Sequence, residues 1–316
     1  MTIVAPDADG LRRAVELLHQ ESVVAFPTET VYGLGANAFS EKAIAEVYRL
    51  KNRPSWNPLI VHVGSVLAAR ALVEEWPEVA NHLAAQFWPG PLTLVLERAR
   101  HLSGLGTENG TIAIRVPAHE VALSLLNASG LPLAAPSANR SETVSPTTAQ
   151  HVLRSIPEVP LVLDGGPASW GIESTVLDLT GKVPTLLRPG AISLRVLREV
   201  TGAIALPDEL ADGTKRSSPG MSRRHYAPKA TVILTKDVRD IDWEGLATPI
   251  GVLTYETIDF PAVEVLSADP REYAADLYAA LHRLDDAGVG TIIVQAPPET
   301  EEWLAVRDRL RRAAAN

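Results

Sequence analysis

The chain has 316 residues, a net charge of −9 and no cysteine. No disulfide framework, thiolate nucleophile or cysteine-based zinc site is therefore available, and the acidic balance argues against broad electrostatic adhesion to nucleic acid. With 46% hydrophobic and 21% charged residues, the composition is that of a globular protein long enough for two domains.

The N-terminal MTIVAPDADGLRR has no basic start followed by an apolar core, so no leader is expected. No apolar run approaches the roughly 20 residues of a membrane span, and the lack of cysteine suits a reducing, cytoplasmic setting. Val23–Phe26 is predicted as a strand that breaks off in Pro27-Thr28-Glu29-Thr30, and Gly33-Leu34-Gly35 reads as a tight two-glycine turn. Ser40 caps a predicted helix through Ile44, Val47 and Leu50 that ends near Pro54. Further strands are predicted at Pro58–Val63, Leu92–Leu96, Thr111–Val116, Leu133–Ala135, Leu161–Leu163, Thr175–Leu179 and Thr185–Leu187. Helices are predicted at Val66–Glu74, Glu78–Phe87, Glu120–Ala128 (closed by Gly130), Pro146–Ser155 and Leu194–Val200. Pro207–Ala230 is polar, rich in Pro, Gly and Ser, and reads as a linker. After it come strands at Thr231–Leu234, Ile250–Tyr255, Val263–Leu266 and Thr291–Gln295, with helices at Arg271–Asp286 and Glu302–Ala314. This alternation predicts an α/β fold: a first domain over 1–206, a linker over 207–230, and a smaller Rossmann-like domain over 231–316. The second domain has no G-x-G-x-x-G fingerprint, so no dinucleotide is assigned to it.

Certain stretches carry more chemistry than a fold needs. In KNRPSWNPLIVHV, Lys51 and Arg53 sit where a helix must break, so a loop can turn both toward one polyphosphate or carboxylate. They also suit the negative end of a helix dipole. His62 lies among apolar strand residues, the usual setting of a hydrogen-bonded core histidine. In PLAAPSANRSETVSPTTA a strand ends in Ser137, Asn139 and Ser145, small groups that let a ligand approach the backbone. Ser145 followed by Pro146 also reads as an N-cap and first helical residue, at a terminus that favours an anion. Arg115, Ser174 and Arg188 lie in or beside strands, where an arginine needs a ligand or a carboxylate such as Glu173 or Asp178. The run SPGMSRRHYAP is a basic surface or a flap over an anion. No G-x-x-x-x-G-K-[ST] loop, H-E-x-x-H metal spacing or G-x-S-x-G elbow is present.

Taken together and in order, PTETVYGLGANA, VYRLKNRPSWNPLIVHV, WPGPLTLVL, AIRVPAH, PLAAPSANRS, GIESTVLDL, LLRPGAI and SPGMSRRHYAPKA resemble the YrdC-like family, in the two-domain form of the threonylcarbamoyl-AMP synthases. The last third matches more loosely. The resemblance implies a twisted mixed sheet flanked by helices, and a nucleotidyltransferase that joins L-threonine, bicarbonate or CO2, and ATP into L-threonylcarbamoyl-adenylate and pyrophosphate. A downstream transferase would then modify the adenosine at tRNA position 37. It implies a basic-polar tetrad of Lys51, Arg53, Ser137 and Asn139. Threonine contacts fall on Thr30, His62, Arg115, Ala135 (through its backbone) and Ser174. ATP contacts fall on Arg53, Asn57, Thr111, Ser137, Ser145, Arg188 and Tyr226. Family members often carry lysine where this chain has Ser222. Mg²⁺ is expected with ATP, with Glu29 and Glu173 as weak candidates to help; no organic cofactor, membrane contact or tight nucleic-acid binding is expected. An RNA-binding module with a basic cavity and no catalysis, and a nucleotide sensor signalling through its second domain, are the competing readings.

Overall fold

A computed structural model describes residues 2–102, 106, 109–206 and 225–315. The chain opens with β1 (Thr2–Val4) and α1 (Ala8–His19), neither expected from sequence. Asp7 caps α1 by accepting from the Gly10 N–H at 2.9 Å, and α1 buries Ala14 and Leu18. Next come β2 (Val24–Phe26) and β3 (Gly33–Asn37). The predicted two-glycine turn is thus a strand, paired antiparallel with β2 so that Phe26 faces Gly33 and Val24 faces Gly35. The glycines are there for space: a Cβ on Gly35 would meet the Phe26 ring at 2.6 Å.

The chain continues through α2 (Glu41–Lys51), β4 (Ile60–His62), α3 (Val66–Arg70), α4 (Glu78–Phe87), β5 (Leu92–Glu97), β6 (Thr111–Arg115), α5 (Glu120–Ser129), β7 (Leu133–Ala134), α6 (Ala149–Ser155), β8 (Leu161–Leu163), β9 (Thr175–Asp178), β10 (Thr185–Arg188) and α7 (Leu194–Thr201). The helix predicted to Glu74 stops at Arg70 because Glu74 donates its N–H to the carbonyl of Glu97, the last residue of β5, at 2.9 Å. These strands form one ten-stranded mixed sheet, ordered β1-β8-β2-β3-β7-β4-β6-β5-β9-β10. One large cluster fills a face of it, including Leu34, Val61, Leu83, Leu94 and Ile114. The opposite face, with Leu18, Phe26, Leu125 and Leu163, is covered by α1 and α5.

A second sheet, ordered β11-β14-β12-β13, comprises β11 (Thr231–Thr235), β12 (Ile250–Thr254), β13 (Val263–Val265) and β14 (Thr291–Gln295). All its pairings are parallel, and α8 (Pro270–Asp286) and α9 (Leu304–Ala313) pack with it. The two domains share apolar packing: Val31, Val144 and Ile172 join Tyr226, Leu277, Leu281 and Trp303 in one buried cluster. Gly171 marks a close approach. Its φ is +66°, and a Cβ there would lie 2.1 Å from the Ala275 carbonyl on α8. Gly171→Ala is expected to cost about 2–4 kcal/mol, from the left-handed backbone plus the overpacked contact. Urea unfolding reads the loss, and unchanged stability would contradict this packing.

Candidate active site

The site forms where strand ends of the large sheet meet the loops that follow. After β2 the chain turns at Thr28, whose Oγ1 donates to the Val31 carbonyl at 2.6 Å and accepts from the Thr30 and Val31 N–H groups, each at 3.2 Å. Thr30 Oγ1 lies 2.8 Å from Thr28 Oγ1 and accepts from Arg115 Nη1 at 2.8 Å. Arg115 closes β6, level with His62 at the end of β4. Its Nε donates to the Gly90 carbonyl at 3.1 Å, and its Nη2 lies 2.7 Å from Glu29 Oε1. The buried partner of Arg115 is therefore Glu29, not the Glu173 or Asp178 that the sequence suggested. His62 sits edge-on to the Phe26 ring, centroids 6.1 Å apart. Burial and then the Arg115 charge lower its pKa to about 3, so the imidazole is neutral near pH 7.

Lys51 and Arg53 are brought together by one left-handed residue. Asn52 ends α2 with φ 50° and ψ 47°, and both flanking side chains are buried. Lys51 Nζ donates to the Ser137 carbonyl at 2.5 Å and to the Asn139 carbonyl. Arg53 donates through Nε to the Asn57 carbonyl at 3.3 Å and through Nη2 to the Pro58 carbonyl at 3.0 Å. Neither is paired with a carboxylate among the described residues. Burial, and then the Arg53 charge, hold the Lys51 ammonium well below its ordinary pKa; burial lowers Arg53 to about 10.

The loop after β7 carries the small polar groups. Ser137 bridges Gly33, and Ala138 N donates to the Tyr32 carbonyl at 2.8 Å. The Ala135 N–H is already given to the Ile60 carbonyl at 2.9 Å, so Ala135 has only its own carbonyl to offer a ligand. Asn139 Nδ2 donates to the Thr143 carbonyl at 2.8 Å, while its Oδ1 is buried without a partner. Asn57 Oδ1, His62 Nδ1 and the Tyr226 hydroxyl share that condition. Ser145 is not a helix cap. The Pro146 and Thr147 carbonyls accept from Tyr32 and Ala168, each at 2.9 Å, which keeps this stretch out of a helix. α6 begins only at Ala149, capped by Thr148. The Ser145 hydroxyl instead donates to Glu173 Oε1 at 2.6 Å.

Glu173 joins the two domains. Its Oε2 accepts from Arg309 Nε of α9 at 2.9 Å and from the Tyr278 hydroxyl of α8 at 3.0 Å. Burial alone would raise its pKa, but Arg309, Arg188 and the Ser145 hydroxyl hold it at about 2. Next to it, Ser174 receives Arg188: Nε and Nη2 donate to the Ser174 carbonyl at 3.1 and 2.9 Å, and Nη2 to its hydroxyl at 3.1 Å. Tyr226 is left-handed, at φ 60°. Its ring stacks on Tyr278 at 5.7 Å, and the Arg309 guanidinium lies 4.9 Å from its centroid.

Thr30, His62, Arg115, Ala135, Ser137, Ser174, Arg188, Arg53 and Tyr226 line one cavity of about 50 Å³, and Lys51, Asn57, Asn139 and Ser145 are buried behind its lining. Thr111 is the exception: it starts β6, about 13 Å along the strand from Arg115 at roughly 3.3 Å per residue. A wider cleft, about 630 Å³ beside Trp170, Pro189 and Leu304, is lined by none of the predicted residues. Residues 207–224, with Ser222 and most of the predicted flap, lie outside the described residues. Sequence reasoning missed the structural roles of Glu29, Glu173, Tyr278 and Arg309. The carboxylates in PTET and GIEST each adjoin a hydroxyl assigned to the site, a usable signal. Arg309, one arginine among several on an amphipathic helix, gave none. The burial of the cations also argues against a basic face for docking RNA, which needs exposed charge.

These features place the chain among YrdC-like α/β proteins that carry a second α/β domain. Residues 16–190 match the Sua5–YciO–YrdC family, described as "Telomere recombination", and residues 192–315 match the family described as "Threonylcarbamoyl-AMP synthase, C-terminal domain". The chain is 41% identical to threonylcarbamoyl-AMP synthase of Pyrococcus abyssi, covering 96% of this chain and 94% of that one. It is 40% identical to the protein of the same name from Bacillus subtilis, covering 96% and 92%. The crystal structure of P. abyssi Sua5 complexed with L-threonine superposes with a TM-score of 0.88 at 40% identity, covering 96% of this chain and 94% of that one. The chain thus belongs to the threonylcarbamoyl-AMP synthase family in its two-domain form.

Glu173→Ala would leave the fully buried Arg309 without its inter-domain carboxylate, at an expected cost of about 3–5 kcal/mol. Because the folded pKa of Glu173, about 2, lies below its ordinary 4.5, its ionic contribution is complete above pH 4.5 and is lost as pH falls toward 2. The stability gap between the wild type and Glu173→Gln should shrink across that interval in urea unfolding at stepped pH. A gap independent of pH would contradict the assignment.

Proposed function

We propose that this chain makes L-threonylcarbamoyl-adenylate and pyrophosphate from L-threonine, bicarbonate or CO2, and ATP. The observation that carries this reading is the pair of buried cations, Lys51 and Arg53, held on backbone carbonyls without a carboxylate partner beside a pocket walled by Arg115 and Arg188. Such a cluster favours a polyphosphate. Arg115, fixed by Gly90, Thr30 and Glu29, presents a rigid guanidinium to the threonine carboxylate, with Ser174 and neutral His62 beside it. Lys51, Arg53, Ser137, Asn139 and Arg188 attend the phosphates, and Asn57, Ser145 and Tyr226 complete the nucleotide's surroundings. Thr111 fits least, since it lies outside the cavity lining.

The threonine amine, neutral, attacks the carbon of CO2 and loses a proton to give a carbamate. A carbamate oxygen then attacks the α-phosphorus; the new P–O bond forms as the bond to pyrophosphate breaks. No covalent enzyme intermediate is required. The chain's part is to hold the reactants in line, worth up to roughly 7–11 kcal/mol, and to offset phosphate charge with buried donors. A downstream transferase then takes the threonylcarbamoyl group to tRNA. The residues do not form a protein-built Mg²⁺ site: Glu29 is engaged by Arg115 and Glu173 by Arg309, and no group of three metal-ligating side chains occurs among the described residues. Mg²⁺ is proposed to enter with ATP, held by phosphates and water, and no step is routed through it.

Pyrophosphate release should require both L-threonine and bicarbonate, with the adenylate detected by mass spectrometry; release that persists without threonine would contradict the reading. Lys51→Met and Arg53→Met should each lower kcat/KM about 10- to 100-fold, the equivalent of one charged hydrogen bond, with the fold retained by circular dichroism.

A further inference from the structure

We propose that Arg309, in the second domain, is a positioning residue for the nucleotide end of the site, acting through Glu173 on the Ser145 hydroxyl. The proposal rests on the adenylate-forming reading above.

Arg309 is the largest fully buried side chain among the described residues. It emerges from α9, far in sequence from every predicted site residue, yet its Nε meets Glu173 Oε2 at 2.9 Å. The carboxylate divides its two oxygens between domains. Oε2 takes Arg309 and Tyr278, and Oε1 takes Ser145 at 2.6 Å. The second domain also reaches the other side of Ser145: His282 Nε2 of α8 lies 3.1 Å from the Ser145 carbonyl. Ser145 is therefore gripped at its hydroxyl through Glu173 and at its backbone by α8.

The chemistry follows from the charge. An ionised Glu173, buried beside Ser174, needs positive charge close by; Arg188 lies near, and Arg309, from outside the first domain, is the cation bonded to it. With the carboxylate fixed, the Ser145 hydroxyl hydrogen has one destination and its lone pairs one direction. Without Arg309 the carboxylate would turn toward other cations of the site or take up a proton, and Ser145 would lose its orientation. The threonine end, built on Thr30, His62, Arg115 and Ser174, is bonded to neither Arg309 nor the Glu173 carboxylate in the hydrogen bonds described above and should be spared. On this account the second domain completes the nucleotide subsite rather than the amino-acid subsite.

The test uses full-length protein and calorimetric binding of a non-hydrolysable ATP analogue and of L-threonine. Arg309→Met should weaken the analogue about 3- to 10-fold, the effect of one oriented neutral hydrogen bond, while threonine affinity changes less than about twofold. Arg309→Lys should recover part of the loss. In a Ser145→Ala background, Arg309→Met should add little, because both changes break the same link. Multiplying effects would overturn the proposal, because they would mean that Arg309 acts elsewhere, for instance through the Tyr226 ring it covers. Equal loss of both ligands would overturn it too. If Arg309→Met does not fold, Glu173→Gln/Arg309→Met removes both buried charges while leaving an acceptor for Ser145. Analogue affinity near that of the wild type then supports action through Glu173, and a loss beyond about tenfold refutes it. Wild-type protein that binds the analogue but forms no threonylcarbamoyl adenylate would overturn the reaction proposed above, with the Arg309 coupling still measured. An active enzyme without the coupling would overturn only this inference.

Discussion

Positive charge buried without negative partners is the constraint on which the rest of this structure depends. Lys51 and Arg53 are held by backbone carbonyls, which accept from some of their N–H groups but do not neutralise their charge. An uncompensated buried cation is costly. These two cations, at and just beyond the end of α2, stand beside a cavity that Arg115 and Arg188 also line, a setting suited to an anion that arrives from outside. The strand order sets this up. His62 and Arg115 lie level on neighbouring strands, and β9 and β10 bring Ser174 and Arg188 to the same end of the sheet.

The two carboxylates in this basic setting divide the work. Glu29 steadies Arg115 at the end of β6. Glu173 is shared between domains and ties Ser145 to Arg309 and Tyr278. The shared apolar cluster around Val31, Ile172, Tyr226 and Tyr278 surrounds that junction, and low local dielectric strengthens each of its polar contacts. Packing between domains and geometry within the site are thus one arrangement seen from two sides.

Much of this was legible in the sequence where the signal is local. Ser40 capped its helix as its side chain allows, and Leu161–Leu163 and Thr291–Gln295 are strands with the predicted bounds. The site residues that share strand ends converged because apolar runs stopped in polar groups. What failed was set by distant partners. Gly33–Asn37 reads as a turn until Phe26 is laid across it. Ser145-Pro146 has the chemistry of a cap, yet Tyr32 and Ala168 claim the following carbonyls. The helix predicted from Val66 to Glu74 gives way to a bond between Glu74 and Glu97 at the end of β5. α1 does carry local signals, with Asp7 as its cap and Gly10 and Leu18 on its buried side, but β1 is too short to show a periodicity. Arg309 had no local signature, because its role exists only once α9 is packed against Glu173.

The central claim, that the buried lysine awaits a polyphosphate, has a direct signature in protons. Burial lowers the Lys51 pKa, and an adjoining phosphate must raise it again. Calorimetry of ATP binding in mildly alkaline buffers of differing ionisation enthalpy should show net proton uptake in the wild type and a smaller uptake in Lys51→Met. Equal proton uptake in both proteins would contradict the account.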